Sequence, residues 1–342
     1  MKSANSWAGL TAIREHLSST GLVIEGTSFP QLLLAFVDSV LRGIGQVMLQ
    51  NNSYAGLLFV AGVFYNSVLF GWGALLGTAV STVTAIALGA DRSQVRAGLF
   101  GFNGALVAIA LLYFLEPGLL AWGYVVLAAA CTTIIMAALL NLLSIWKIPA
   151  LTAPFVLTTL LFVLACARFG RLHSTDVLPT AGLPGAATVE GIVTVSTVIE
   201  GLFNGLAQVF FQGNAITGVF FAVGLLISSR LAGVAALLGS LVGLLVAWGM
   251  GAAEPAIRAG AFGFNSALTA IALIGSSLLV LNSVSAAYGL LGVVATAIVF
   301  AAMSAALEPL GMPALTSPFV LVVWLFLLAS PLFPRIRTVA ST

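Results

Sequence analysis

The chain has 342 residues, 61% hydrophobic and only 6% charged, against roughly a quarter charged in a soluble globular domain. With a mean hydropathy of +1.16, this is the composition of an integral membrane protein. Twelve Lys plus Arg and ten Asp plus Glu supply neither the basic surface that nucleic-acid phosphates require nor the charge that keeps a tail disordered, so no nucleic-acid partner is expected. The two cysteines, Cys131 and Cys166, sit in separate apolar stretches and make neither a disulfide scaffold nor a metal site. The apolar tracts are long and do not alternate, which points to a helical bundle rather than a barrel. The first residues lack the apolar core of a signal peptide, and nothing is expected to be removed.

In chain order, apolar segments are expected at about 31–49, 54–70, 72–89, 97–115, 119–143 and 150–168, then at about 193–211, 216–230, 232–250, 260–280, 284–306 and 313–333. The second set repeats the first. Arg96 to Ala110 reads RAGLFGFNGALVAIA and Arg258 to Ala272, 162 positions later, reads RAGAFGFNSALTAIA, with twelve of fifteen positions identical. Gln46-Val47-Met48-Leu49-Gln50 matches Gln208-Val209-Phe210-Phe211-Gln212 at the same offset, and PALTAPF from Pro149 matches PALTSPF from Pro313 with two residues gained. Three blocks in one order indicate a duplicated half, spanning residues 31–168 and 193–333. The stretch between them, 169–192, has the Pro, Gly and Thr content of a solvated linker.

The first segment of each half is the most polar, with Asp38, Arg42, Gln46 and Gln50 in one and Glu200, Asn204, Gln208 and Gln212 in the other. These two segments read as re-entrant, since polar groups at membrane depth need protein or water around them. Five spans plus one re-entrant helix per half inverts one half relative to the other. With an inner N-terminus, Lys2, Arg14, Arg92, Arg96, Lys147, Arg230, Arg335 and Arg337 fall inside and Arg168, Arg171 and Arg258 outside, in keeping with the positive-inside bias. The expected architecture is therefore an all-α integral membrane protein of two inverted-topology repeats. Residues 1–30 and 334–342 are expected to be cytoplasmic and 169–192 extracytoplasmic. In such folds the solute path lies between the repeats near the midplane.

Each half supplies a Gln (Gln46, Gln208), a Phe and Leu four apart (Phe102 and Leu106; Phe264 and Leu268) and a Thr between prolines (Thr152, Thr316). Four-residue spacing places each Phe and Leu on one helix face, a wall for a narrow slot. Pro154 and Pro318 disfavour helix just before them, so carbonyls near Thr152 and Thr316 are expected to lack helical partners, as are those near Gln50 to Asn52. Acceptors between apolar walls suit a small, flat, neutral molecule rich in N–H groups, such as urea. Gly101, Gly104 and Gly263 are expected to pack helices closely, and Asn103 and Asn265 to bond backbone rather than solute. Asp38 and Glu200 are expected to brace the re-entrant segments, Asp38 with Arg42. His16 and His173 lie outside the spans.

At these blocks the sequence resembles the urea transporter family, over residues 31–333. The resemblance implies a homotrimer with a passive urea pore through each protomer and no cofactor or metal. It implies that Gln46 and Gln208 face urea at the two ends of a selectivity filter, that Val47 and Val209 narrow its middle, and that Phe102, Leu106, Phe264 and Leu268 form slot walls. Thr152 and Thr316 become mid-pore hydroxyls, and Phe211 a further slot aromatic whose counterpart is Leu49. A bacterial inner membrane is the expected location. The alternative from another class is an ion-coupled secondary transporter using Asp38 and Glu200 as coupling acids. An intramembrane enzyme would need a nucleophile with a base, or metal ligands, and the spans hold no His and only unpartnered cysteines.

Overall fold

The computed structural model describes residues 17–22, 28–185, 188–275 and 278–339. The expected cytoplasmic segment 1–30, with Lys2, Arg14 and His16, lies largely outside the described residues, as do the last three of the tail. What is described of the former is a small hairpin, β1 (Leu17–Ser18) paired antiparallel with β2 (Gly21–Leu22).

Fourteen α-helices follow among the described residues. They are α1 (Phe29–Gln46), α2 (Ser53–Asn66), α3 (Val68–Ala87), α4 (Arg92–Arg96), α5 (Phe102–Phe114), α6 (Leu119–Leu143) and α7 (Ala153–Cys166), then α8 (Val195–Ala207), α9 (Ala215–Ser228), α10 (Arg230–Gly249), α11 (Glu254–Arg258), α12 (Gly263–Ala270), α13 (Ser283–Leu307) and α14 (Ser317–Ala329). The second seven repeat the first in order and closely in length, and a π-helical turn, Ile271–Gly275, stands where the offset between the copies grows from 162 to 164. The expected segments 97–115 and 260–280 each open with a glycine-bearing turn, which follows a short helix (α4, α11) lying just before the segment and leads into α5 or α12. Gly98 and Gly260 hold those turns at φ +75 and +76, and a Cβ on either would lie 2.3 Å from the backbone nitrogen of Gly43 or Gly205.

Helix starts follow local chemistry. Asn52 accepts from the amides of Tyr54 and Ala55 at the start of α2, and Asn214 from those of Ile216 and Thr217 at the start of α9. Ser67 and Ser229 cap α3 and α10 in the same way. Side-chain acceptors for otherwise unpaired amides are the usual signal for a helix start.

Five helical stretches are long and apolar enough to cross a membrane: Val68–Ala87, Leu119–Trp146, Arg230–Gly249, Glu254–Gly275 and Ser283–Leu310. A sixth is obtained if Val195–Phe210 and Ala215–Ser228, bent by 76° at their junction, count together. The chain is thus a multi-pass, all-α membrane protein. The helices Ser53–Asn66, Phe102–Phe114 and Ala153–Cys166 are apolar but shorter. Fourteen helical residues cover about 21 Å, less than the ~30 Å hydrocarbon thickness, and irregular turns buried in protein make up the rest.

Close backbone crossings hold the bundle together. A Cβ on Gly56 would lie 1.8 Å from the Leu41 carbonyl oxygen, and one on Gly218 2.0 Å from that of Phe203. Gly56→Ala and Gly218→Ala are therefore expected to destabilise the fold by about 1–3 kcal/mol each. Gly118→Ala, which meets nothing within 4 Å, should leave the melting temperature in detergent unchanged, and thermal denaturation of the three variants checks this.

Candidate functional site

The repeated QV-x-x-Q block ends α1 and α8 and then turns sharply. Leu49 and Phe211 take left-handed backbone, φ 61 and 58, a conformation uncommon outside glycine. In each turn the second Gln folds back, Gln50 Nε2 donating to the Met48 carbonyl and Gln212 Nε2 to that of Phe210. Asn66 Nδ2 in turn donates to Gln212 Oε1 at 2.8 Å, tying α2 to the second turn.

The PALT blocks make a matching turn. Leu151 and Leu315 are left-handed, φ 53 and 52, and each is held by an asparagine from the other repeated block. Asn103 Nδ2 donates to the Leu151 carbonyl at 3.3 Å while its Oδ1 accepts from the Phe155 amide at 3.1 Å. Asn265 does the same with the Leu315 carbonyl at 3.0 Å and the Phe319 amide at 3.3 Å. The asparagines thus bond backbone, as expected.

The carbonyls near the threonines differ from expectation. Thr152 O accepts from Val156 N, and Ala150 O from Ala153 N, with the same pattern at Thr316 and Ala314. Pro154 and Pro318 stand in the first turn of α7 and α14, where a missing amide costs nothing, so they start helices instead of unwinding them. At the other turn, Gln50 O, Asn51 O and Asn52 O accept from Asn52 N, Arg42 Nη1 and Gly56 N.

Thr152 and Thr316 meet. Their hydroxyl oxygens are 2.6 Å apart, both residues buried, and Trp324 Nε1 donates to the Pro149 carbonyl at 2.9 Å across the same junction. Thr316 also lies at the wall of a cavity of about 790 Å³ that Gln208, Val209, Phe211 and Phe264 share. Phe211 stands within a ring cluster, 5.5 Å from Tyr113, 5.9 Å from Phe114 and 6.2 Å from Phe155 between centroids. Phe300 links Phe262 and Phe264 at 5.2 and 5.6 Å, and all three rings line the cavity.

Five of the eleven candidate residues therefore share one cavity and a sixth, Thr152, bonds to its wall. Gln46 lies on the first half, where its Nε2 donates to the Ala97 carbonyl at 3.0 Å and its carbonyl oxygen remains as the acceptor. Val47, Phe102, Leu106 and Leu268 are buried and do not line this cavity. Tyr113, Phe114, Phe155, Phe262 and Phe300 were not among the candidates. Phe155 had a signal, since it closes the repeated LTAPF block, whereas Phe300 has Met136 as its counterpart and no repeat marks it.

One acid, Glu308, also lines the cavity. It follows Phe300 and Ser304 at four-residue intervals along one face leading out of α13, and its counterpart in the first half is Ser144. The linker also does more than connect, because Val177, Pro179 and Thr180 form part of the rim.

The other acids brace, as expected. Arg42 Nε bonds Asp38 Oδ2 at 2.7 Å, and Ser53 Oγ and the Leu22 amide reach Asp38 Oδ1 at 2.6 and 3.0 Å. Glu200 bonds Arg258 at 2.7 Å, a partner on α11. Among the described residues no group of three His, Cys, Asp or Glu side chains could hold a metal.

An all-α membrane protein of duplicated sequence, with an aromatic-walled cavity beside the buried contact between Thr152 and Thr316, has the form of a solute transporter. The urea transporter family model matches residues 37–331, and the chain belongs to that family, whose members are transporters and not enzymes. Among curated relatives, urea transporter 1 of Ovis aries is 34% identical over 307 residues, 89% of this chain and 79% of the relative. Urea transporter 1 of Rattus norvegicus is 31% identical over 309 residues, 89% of this chain and 80% of the relative.

The threonine pair gives a test of the junction. Thr152→Val or Thr316→Val alone strands a buried hydroxyl and is expected to cost about 1–2 kcal/mol. The double variant should cost less than the sum, because no hydroxyl is left unpaired, and a double-mutant cycle from denaturant unfolding in detergent measures it.

Proposed function

We propose that the chain conducts urea passively, as a channel, along a path between its two halves. The observation that carries this reading is the hydroxyl pair Thr152 and Thr316, one from each half, buried beside the cavity that holds Gln208 and Phe211. Urea has four N–H bonds, one carbonyl and no charge. The Gln208 amide can accept from and donate to it at the cavity, flat rings can face its plane, and the threonine hydroxyls can replace its water at the narrowest point. By the repeat, Gln46 does the same from the other end, Val47 and Val209 narrow the middle, and Phe102, Leu106 and Leu268 complete the walls with Phe264. Ions are rejected because apolar walls and two neutral hydroxyls cannot replace a hydration shell. Glu308 stands at the mouth, where water still solvates it.

In this reading the halves, 31–168 and 193–333, are inverted repeats of five spans and one re-entrant helix each. The 76° bend between α8 and α9 supports the re-entrant reading of the second. The linker 169–192 is extracytoplasmic, the termini are cytoplasmic, the protein resides in a bacterial inner membrane, and three protomers assemble with one pore each. The ion-coupled alternative uses Asp38 and Glu200 as coupling acids. Asp38 and Glu200 are instead engaged by Arg42 and Arg258, which favours the passive reading.

Gln208→Ala and Thr316→Val should each lower urea flux into proteoliposomes about fivefold, the equivalent of one lost hydrogen bond of about 1 kcal/mol, while the protein stays monodisperse. Wild-type flux in either variant would sink the site assignment. Uptake that rises above the outside concentration when a proton or sodium gradient is imposed would overturn the passive mechanism.

A further inference from the structure

The two halves use one set of repeat-related positions in opposite ways. In the second half Arg258 bonds both Glu200 and Glu254 at 2.7 Å. The residues 162 positions earlier are Arg96, Asp38 and Arg92. Glu254 is thus replaced by a second arginine, and Asp38 is taken by Arg42 at 2.7 Å and by Ser53. Among the described residues neither Arg92 nor Arg96 has an ion pair.

These two guanidinium groups, four residues apart on one side of α4, line a groove of about 900 Å³. Its other walls are apolar, Leu32 and Phe36 from α1 and Ile86 from the end of α3. Asp91 also lines it, with its carboxylate accepting from the amides of Ser93 and Gln94 and from the Ser93 hydroxyl. Those bonds, the Ser93 hydroxyl foremost, hold its carboxyl below the usual range, so it is ionised, and two arginines against one aspartate leave the site cationic. In the second half the equivalent place is occupied by the chain itself. The Glu254 amide donates to the Glu190 carbonyl at 2.8 Å, and a Cβ on Gly191 would lie 2.8 Å from that of Glu254.

A groove with the exposed apolar side chains of Leu32 and Ile86 and a net cationic end matches a molecule with acyl chains and a phosphate. We propose that Arg92 and Arg96, with the groove between α1 and the end of α3, bind an anionic phospholipid. The acyl chain lies along Leu32, Phe36 and Ile86 and the headgroup phosphate between the arginines. With the inner placement that the positive-inside bias gives α4, the lipid comes from the cytoplasmic leaflet, whose anionic surface attracts such basic pairs. The site does not depend on which solute is conducted.

Native mass spectrometry of the detergent-solubilised protein, titrated with phosphatidylglycerol or phosphatidylcholine, tests this. The wild type should retain phosphatidylglycerol preferentially. Arg92→Gln with Arg96→Gln should abolish the preference, at roughly fivefold per arginine, whereas Arg92→Lys with Arg96→Lys should keep most of it. Ile86→Trp, which fills the groove and leaves both arginines, should also lower retention, and it decides the matter if the glutamine variant does not fold. Undiminished phosphatidylglycerol retention in the glutamine variant, or in Ile86→Trp, overturns the proposal. Displacement of the lipid by millimolar inorganic phosphate, with equal thermal protection by phosphate alone, overturns it in favour of a soluble-anion site.

Discussion

Everything at the centre of this protein depends on two asparagines. Asn103 and Asn265 each hold a carbonyl with the amide group and an amide with the carbonyl group, four residues apart along the other repeated block. That pair of hydrogen bonds keeps Leu151 and Leu315 in left-handed backbone and lets α7 and α14 begin in mid-protein. Only then do Thr152 and Thr316 face one another at 2.6 Å. In hydrocarbon a stranded backbone group costs several kcal/mol, so a turn at this depth is stable only where another element satisfies it. Asparagine is short and carries both donor and acceptor, which no apolar residue at that site could replace.

The same requirement explains the distribution of polar groups elsewhere. Gln50 and Gln212 close their own turns, Asn52 and Asn214 start the following helices, and Tyr124 and Tyr288 each donate to a carbonyl of the neighbouring helix, Phe162 and Phe326, at 2.8 Å. Scarce polar side chains are spent on backbone, and very few are left to meet a solute. The acids are mostly paired, Asp38 with Arg42 and Glu200 and Glu254 with Arg258, while Glu308 lines the cavity.

Much of this was legible before any coordinates. The helix positions followed from apolar tracts, the duplication from the matched blocks, and the bracing of Asp38 by Arg42 from their spacing of four. The asparagines were expected to bond backbone rather than solute, and they do. What stayed hidden had no pattern to announce it. Phe300 and Glu308 belong to a long helix and its end whose other copy carries Met136 and Ser144, so the duplication gave them no emphasis. Tyr113 and Phe114 read as ordinary apolar helix. The carbonyls around the threonines were misjudged because a proline within a helix and a proline in its first turn look alike until the start of the helix is known.

The duplication also works as a comparison within one molecule. Lys147 and Gly311 occupy matched turns at φ 55 and 63, and there one copy has relaxed to glycine. At Leu49 and Phe211, and at Leu151 and Leu315, neither copy has, although each holds an equally awkward backbone. Glycine would relieve the conformation and remove the side chain, which at Phe211 and Leu315 lines the cavity. The left-handed backbone at those four positions thus recurs in both copies without relaxing to glycine, so it belongs to the turn itself and is not an accident of one half.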